Sequence, residues 1–248
     1  MSIERAAGLL SRARRGVALT GAGVSAESGI PTFRGEGGLW TKYDPVKVSS
    51  IDSFMADPAS YWQVSKDRGR VALAAKPNPG HIALAALEES GHLVAIVTQN
   101  TDGLHQDSGA RRVIELHGSG RKVQCLECGT IESRQDVQDR LSIEMPPRCR
   151  SCGGALLKPT VVLFGEPMPV EAVTAAYELA VQADVMLVVG TSLVVYPAAE
   201  IPLVAVRAGA PMIVINAEPT PFDSFAEVVI NGRSGEVLPE IVSLLAER

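Results

Sequence analysis

Two cysteine pairs restrict what this chain can fold into more than any other feature. Cys125-Leu126-Glu127-Cys128 and Cys149-Arg150-Ser151-Cys152 are separated by residues 129–148 and account for all four cysteines. That spacing fits a four-thiolate zinc site, because each C-x-x-C turn aims two sulfurs at one tetrahedral metal. Gly129 and Gly153 follow the pairs and relieve the backbone where each knuckle turns. The alternative is two disulfides or two redox-active pairs. Nothing suggests a secreted chain, since Met1-Ser2-Ile3-Glu4-Arg5 opens no uninterrupted apolar stretch. Four protein ligands close the coordination sphere, so the zinc is expected to be structural and the chemistry to lie elsewhere.

The metal compensates for the small core that so short a segment can build. Outside it the chain has ample apolar material. Hydrophobic residues make up 46% of the 248, yet aromatics only 4%, so Val, Ala and Leu carry the core. That composition suits buried parallel strands covered by helices. The formal charge of −5 argues against a general nucleic-acid binder. Arg12, Arg14 and Arg15 read as the solvated end of a first helix. No stretch reaches the roughly 18 apolar residues that a membrane helix needs. The expectation is a reducing, cytoplasmic compartment, where thiolates can hold metal.

Helical and strand periods alternate along the chain. Helices are predicted at 3–14, 80–90, 170–182, 198–208 and 236–246. Strands are predicted at 17–20, 93–98, 113–116, 161–164, 185–189, 212–215 and 227–230. Continuous apolar strands alternating with helices imply an α/β fold with a doubly wound, mostly parallel sheet. Residues 36–79 and 121–158 break the pattern and read as insertions.

Candidate chemistry gathers at strand ends, where ligands of open α/β sheets bind. Gly21-Ala22-Gly23-Val24-Ser25-Ala26 is a G-x-G-x-x-A turn that lets backbone approach a pyrophosphate. The run from Glu27 to Gly35 that follows is polar and loop-like rather than directly helical, which suggests a cover over a ligand. Gln99-Asn100-Thr101-Asp102 ends the 93–98 strand and could read polar groups of a ligand or simply cap a helix. His117, at Leu116-His117-Gly118, is a candidate general base, with an ordinary pKa of ~6.5. His81, His92 and His105 read as cap, packing or surface residues, His105 being a sequence neighbour of Asp102. Gly190-Thr191-Ser192 and Asn216-Ala217-Glu218 end two later strands.

Assembled in this order, these motifs resemble the sirtuins, NAD-dependent protein lysine deacylases, and most closely the compact archaeal and bacterial members. The resemblance runs from about Gly16 to the C-terminus and includes Gly29-Ile30-Pro31-Thr32-Phe33-Arg34 and Val162-Leu163-Phe164-Gly165-Glu166. It implies a Rossmann-type NAD-binding domain over 1–35, 80–120 and 159–248. A small domain would combine a helical module at 36–79 with a zinc ribbon at 121–158.

The resemblance also implies residue roles. Gly21, Ala22, Gly23 and Ser25 would lie near the pyrophosphate, and Thr32, Phe33 and Arg34 near the nicotinamide ribose. Gln99 and Asn100 would hold that ribose, and Asp102 the nicotinamide amide. Gly190, Thr191 and Ser192 would face phosphate and the adenine ribose. Asn216, Glu218 and Ser234 would hold the adenosine end. His117, with Asn100, would be catalytic, taking a proton from a ribose hydroxyl after the acyl oxygen attacks the ribose carbon. His117, Val162, Phe164 and Gly165 would bind an acetyl-lysine peptide by strand addition. Cys125, Cys128, Cys149 and Cys152 would hold zinc.

Products would be nicotinamide, free lysine and O-acetyl-ADP-ribose. Sirtuins that take acidic acyl groups carry a Tyr-x-x-Arg pair. Here Tyr61 is followed by Val64, and Lys66, Arg68 and Arg70 are out of register, so an uncharged acyl group is expected. A mono-ADP-ribosyltransferase on the same NAD site is the alternative reaction. A non-enzymatic zinc-ribbon module would have no need of a base beside a ribose pocket. The expected partner is an acetylated protein, with no membrane or nucleic acid, and the chain a monomer.

Overall fold

The computed structural model describes residues 1–34, 38–41 and 44–247. Gly35, in the expected cover, and Glu36, which opens the expected helical insertion, lie outside the described residues.

The chain opens with α1 (Ser2–Leu10), β1 (Gly16–Thr20) and the short α2 (Ala22–Ser25). Helix α1 stops at Leu10 rather than near residue 14: the Arg12 and Ala13 amides tighten onto the Leu9 and Leu10 carbonyls, three residues back rather than four. The exposed Arg14 and Arg15 backbone then bonds the Asp184 carboxylate. Three helices follow: α3 (Pro45–Ser49), α4 (Ile51–Ala56) and α5 (Pro58–Ala74). Asp44, Ser50 and Asp57 cap them in turn, and Pro45 and Pro58 occupy first-turn positions where a missing N–H costs nothing.

The sheet resumes through α6 (Pro79–Glu89), β2 (Leu93–Thr98), α7 (Leu104–Asp107) and β3 (Val113–Glu115). The cysteine segment holds β4 (Gly118–Cys125), β5 (Ile131–Ser133), α8 (Arg134–Arg140) and β6 (Leu157–Val161). Last come α9 (Val170–Gln182), β7 (Val185–Val189), α10 (Ile201–Arg207), β8 (Met212–Asn216), β9 (Val228–Asn231) and α11 (Ser234–Ala246).

Six strands form one parallel sheet in the order β3-β2-β1-β7-β8-β9. Alternate side chains of the central strands feed two cores. Ala18, Leu187 and Ile213 face α1, α6 and α11 through Leu10, Leu84 and Leu238. Val17, Met186 and Val214 face α9 and α10 through Leu179 and Ile201. This is the doubly wound arrangement expected from the strand pattern.

The run 161–164 behaves differently from expectation. Its strand is β6, which ends at Val161 and pairs antiparallel with β4 in a separate three-stranded sheet, β5-β4-β6. A four-residue apolar run carries no information about which sheet it joins. Beyond it, the Phe164 N–H bonds the Ser49 carbonyl and the Ile51 N–H bonds the Phe164 carbonyl, tying this segment to the helical insertion. The small sheet thus extends a few residues past 121–158 on each side. It shares a third core with α4 and α5, where Phe54 and Trp62 pack with Val123, Val137 and Leu157. The Trp62 indole donates to the Leu157 carbonyl at 2.9 Å, and the Arg134 guanidinium lies 4.6 Å from the indole centroid.

Candidate active site

Strand β1 lies between β2 and β7, where the order of the sheet reverses. At such a switch point the loops leaving adjacent strands part and open a crevice. Thr20 is in register with both Thr98 and Val189, so the loops after β1, β2 and β7 leave the sheet at one level. A cavity of about 1240 Å³ opens there.

Two glycine turns line one wall. The Gly23 N–H bonds the Gly190 carbonyl at 2.8 Å, and the Gly21 N–H bonds the Val189 carbonyl at 3.1 Å. A Cβ on Gly23 would come 2.8 Å from the Gly190 Cα. Gly190 has φ of +60°, and a Cβ there would come 2.4 Å from the Val24 amide nitrogen. Only glycine satisfies both strands of this contact. Ala22, Thr191 and Ser192 also line the wall, as do Asn216 and Glu218 from the end of β8. The Asn216 amide donates to the Glu218 carbonyl at 2.7 Å. Ser234 does not reach the cavity surface. It is buried at the start of α11, its hydroxyl donating to the Glu27 carboxylate, while its neighbour Arg233 lines the cavity.

The opposite wall comes from residues 30–34 and 39–40 and from the stretch after β6. A short helix and a 3-10 turn at Ala26–Ser28 follow Gly21, so the expected loop begins only at Gly29. Thr32, Phe33 and Arg34 line the cavity, and the Phe33 ring is 5.2 Å from that of Trp40. Val162, Phe164 and Gly165 line it too, with Phe164 6.3 Å from Trp40.

A buried hydrogen-bond network forms the floor. The Asn78 backbone N–H donates to His81 Nδ1 at 3.3 Å. Neutral His81 then carries its proton on Nε2, which donates to Ser25 Oγ at 3.3 Å. Ser25 Oγ also accepts from Asn100 Nδ2 at 3.2 Å and donates to Asp102 Oδ2 at 2.7 Å. Asn100 Nδ2 donates in addition to the Gly21 carbonyl at 3.0 Å, and Gln99 Nε2 donates to Thr191 Oγ1 at 2.9 Å. His117 Nδ1 lies 3.0 Å from the Gln99 carbonyl oxygen. A carbonyl only accepts, so Nδ1 bears the hydrogen and neutral His117 presents a bare Nε2. Burial lowers the His117 pKa below its ordinary value, opposed in part by that hydrogen bond. The imidazole is therefore neutral and able to accept a proton near pH 7.

Residues 21–197 match the model of the Sir2 family. This span holds the glycine turns, the amide-rich floor, His117 and the cysteines. The chain belongs to the Sir2 family. It is 52% identical over 241 residues to the NAD-dependent protein deacylase 2 of Archaeoglobus fulgidus, covering 97% of this chain and 94% of that protein. It superposes with a TM-score of 0.94 and 40% identity on a Sir2 variant bound to a deacetylated p53 peptide and 3'-O-acetyl-ADP-ribose, over 98% of each chain. A Sir2–p53 peptide–NAD+ structure matches at a TM-score of 0.89 and 38% identity, again over 98% of each chain.

The cysteines of this Sir2 chain form the expected cluster, all four sulfurs within 4.8 Å of one another. Cys125 and Cys152 sulfurs are 3.6 Å apart, and those of Cys128 and Cys149 3.7 Å. Sulfurs at the corners of a tetrahedron with bonds of about 2.3 Å are separated by about 3.8 Å, whereas a disulfide needs about 2.05 Å. The donor set fits one zinc ion. Among the described residues no cysteine lines the cavity, as befits a structural metal.

Two of the histidines read from sequence as cap or packing residues take part in buried hydrogen bonds beneath the Sir2 site. His81 does cap α6, completing a reciprocal box with Asn78, but its other nitrogen reaches Ser25. His105 is buried against Thr20. The dipeptide Asn78-Pro79 is a helix-start signal that points to the cap, whereas nothing local in the sequence points to the second contact. Arg121 also lines the cavity, its Nε donating to the Asp102 carbonyl at 2.8 Å.

Proposed function

We propose that this chain is an NAD-dependent protein lysine deacetylase, moving the acetyl group of acetyl-lysine to ADP-ribose and releasing nicotinamide and lysine. The observation that carries the reading is His117. A neutral histidine with a bare Nε2 shares one cavity with the paired glycine turns and the Asn100–Ser25–Asp102 floor. The solved relatives carry NAD, deacetylated p53 peptide or acetyl-ADP-ribose in their complexes, and the same substrates are proposed here.

NAD, the co-substrate, supplies the electrophilic ribose carbon. Gly21, Ala22, Gly23, Gly190, Thr191 and Ser192 accommodate its phosphates and adenine ribose, with Ser25 behind the turn. Asn216 and Glu218 hold the adenosine end, with Ser234 nearby at the start of α11. Thr32, Phe33 and Arg34 cover the nicotinamide ribose. Gln99 and Asn100 hold that ribose from below, and Asp102 receives the nicotinamide amide. Both Asn100 amide hydrogens are engaged within the protein, which leaves its oxygen for a ribose hydroxyl. Once the acyl oxygen has attacked the ribose carbon and nicotinamide has left, His117 Nε2 would take the proton from the neighbouring ribose hydroxyl as that oxygen attacks the imidate carbon so formed, and water would complete the release of lysine. The peptide lies along Val162, Phe164 and Gly165, held by main-chain hydrogen bonds.

The acyl group is acetyl or another uncharged one. Val64 lines the cavity one turn from Tyr61. The Arg134 guanidinium nearby is held by the Ser65 carbonyl and the Trp62 face, and Arg68 lies over Phe33. The NAD-binding domain is assigned to 1–35, 80–120 and 159–248, and the small domain to 36–79 and 121–158. The enzyme acts as a monomer in the cytoplasm without nucleic acid, in keeping with its charge of −5. The test is His117→Ala: NAD should still bind by calorimetry while acetyl transfer falls by about 10²-fold or more. Full turnover by that variant would overturn the mechanism. Mono-ADP-ribosyl transfer, the alternative on the same NAD site, is recognised by ADP-ribose left on protein.

A further inference from the structure

His105 is 1% exposed on α7 and does not line the cavity. Its Nε2 lies 2.9 Å from Thr20 Oγ1, the last side chain of β1. Thr20 Oγ1 donates to Thr98 Oγ1 at 2.8 Å, and the backbone N–H of Asn100 donates to the same Thr98 oxygen at 3.0 Å. His105 Nδ1 is buried with no partner. A bare nitrogen there is less costly than an N–H with no acceptor, so the proton resides on Nε2. Nε2–H donates to Thr20, which forces the Thr20 hydroxyl to point at Thr98. The bonds therefore converge on the Thr98 hydroxyl, which accepts from both Thr20 and the Asn100 backbone, and Asn100 in turn holds Ser25 and Gly21 through its side chain.

We propose that His105 is a positioning residue for nicotinamide release, holding Asn100 in place through Thr20 and Thr98. The proposal rests on Asn100 as the ribose-binding residue of the reading above. A packing role alone gives no reason for an imidazole. An apolar side chain of similar volume would fill the space without leaving a polar nitrogen orphaned, which is destabilising. Nor does the interior of a sheet need a hydroxyl at Thr20, whose register partner in β7, Val189, is apolar, as is Ile215 beyond it in β8. The chain of bonds anchors Asn100 from its backbone side, while His81 and Ser25 anchor it from its side chain. Catalytic geometry that slips by about 1 Å can slow a reaction about 10²-fold.

The test measures nicotinamide release by His105→Leu, His105→Gln and Thr20→Val, each with NAD and an acetyl-lysine peptide. Thr20→Val keeps the shape of β1 and removes only the relay hydroxyl, so it remains informative where the leucine variant folds poorly. The expected result is a kcat about tenfold or more lower for Leu and Val, with the peptide KM within about twofold. The Thr20→Val/His105→Leu double variant should be no slower than either single variant, because one chain is cut in both. His105→Gln, which restores an N–H donor, should recover most of the rate, and nitrogen-15 NMR should show the Nε2–H tautomer in the unmodified protein. Leu and Val variants that release nicotinamide within about twofold of the unmodified protein would overturn the proposal, as would a Gln variant as slow as Leu. Nicotinamide release is common to deacetylation and ADP-ribosyl transfer. Failure of the activity reading would show instead as nicotinamide released by the unmodified protein with the acetyl group retained.

Discussion

Lowering the pH from 7 to 5 should destabilise this fold through His105, by an amount the structure sets. Burial, followed by the charge of neighbouring His81, lowers the His105 pKa from 6.5 to about 3. Between those values the unfolded chain binds a proton that the folded chain does not. The associated stability is therefore fully present above pH 6.5 and is lost as pH falls towards 3. Each pH unit in that window is worth about 1.4 kcal/mol, so the fall from 6.5 to 5 removes about 2 kcal/mol. For a chain of this size that corresponds to about 4–8 °C in Tm. The assay is calorimetry on the zinc-loaded protein and on His105→Gln, at both pH values. Glutamine does not titrate, so the stability difference between the two proteins should narrow by about 2 kcal/mol at pH 5. His81 and His117 are also lowered by burial and add in the same direction in both proteins. Parallel pH slopes for the two proteins would refute the reasoning.

Because burial lowers the His117 pKa, the acid limb of kcat/KM should fall below pH 6.5; a limb centred above 7, measured from rate against pH, would contradict a buried neutral base. Gly190→Ala should weaken NAD binding by about tenfold or more in calorimetry, since its Cβ would meet the Val24 amide at 2.4 Å. Zinc chelation should open the small sheet first, so limited proteolysis should cut within 121–158 before the parallel sheet is lost. Succinyl-lysine peptide should turn over at least about tenfold more slowly than acetyl-lysine peptide, a difference of about 1.4 kcal/mol in barrier, and comparable rates would remove the acyl preference.

The parallel strands were legible because they are buried on both faces and so read as unbroken apolar runs, as in Val185–Val189. Once they are ordered in one sheet, topology alone brings Gly21, Gln99 and Gly190 to one crevice. The cysteine spacing was equally readable, since one tetrahedral ion demands it. Strand β6 was not assigned to its sheet, because Leu157 and Val161 choose their partner through pairing with Cys125 and Gly118. The floor of the site was hidden for a related reason. Ser25 meets His81, and Thr20 meets His105, only after long chain separations are closed by folding. Each of these residues has a local explanation, a cap for His81 and a strand-former for Thr20, that conceals its second contact.

The most direct measurement is mass spectrometry of the purified protein with an acetyl-lysine peptide, with and without NAD. The account predicts loss of the acetyl mass only when NAD is present, together with O-acetyl-ADP-ribose and nicotinamide. An unchanged peptide, with nicotinamide released and ADP-ribose added to protein, would contradict it and identify a transferase on the same cavity.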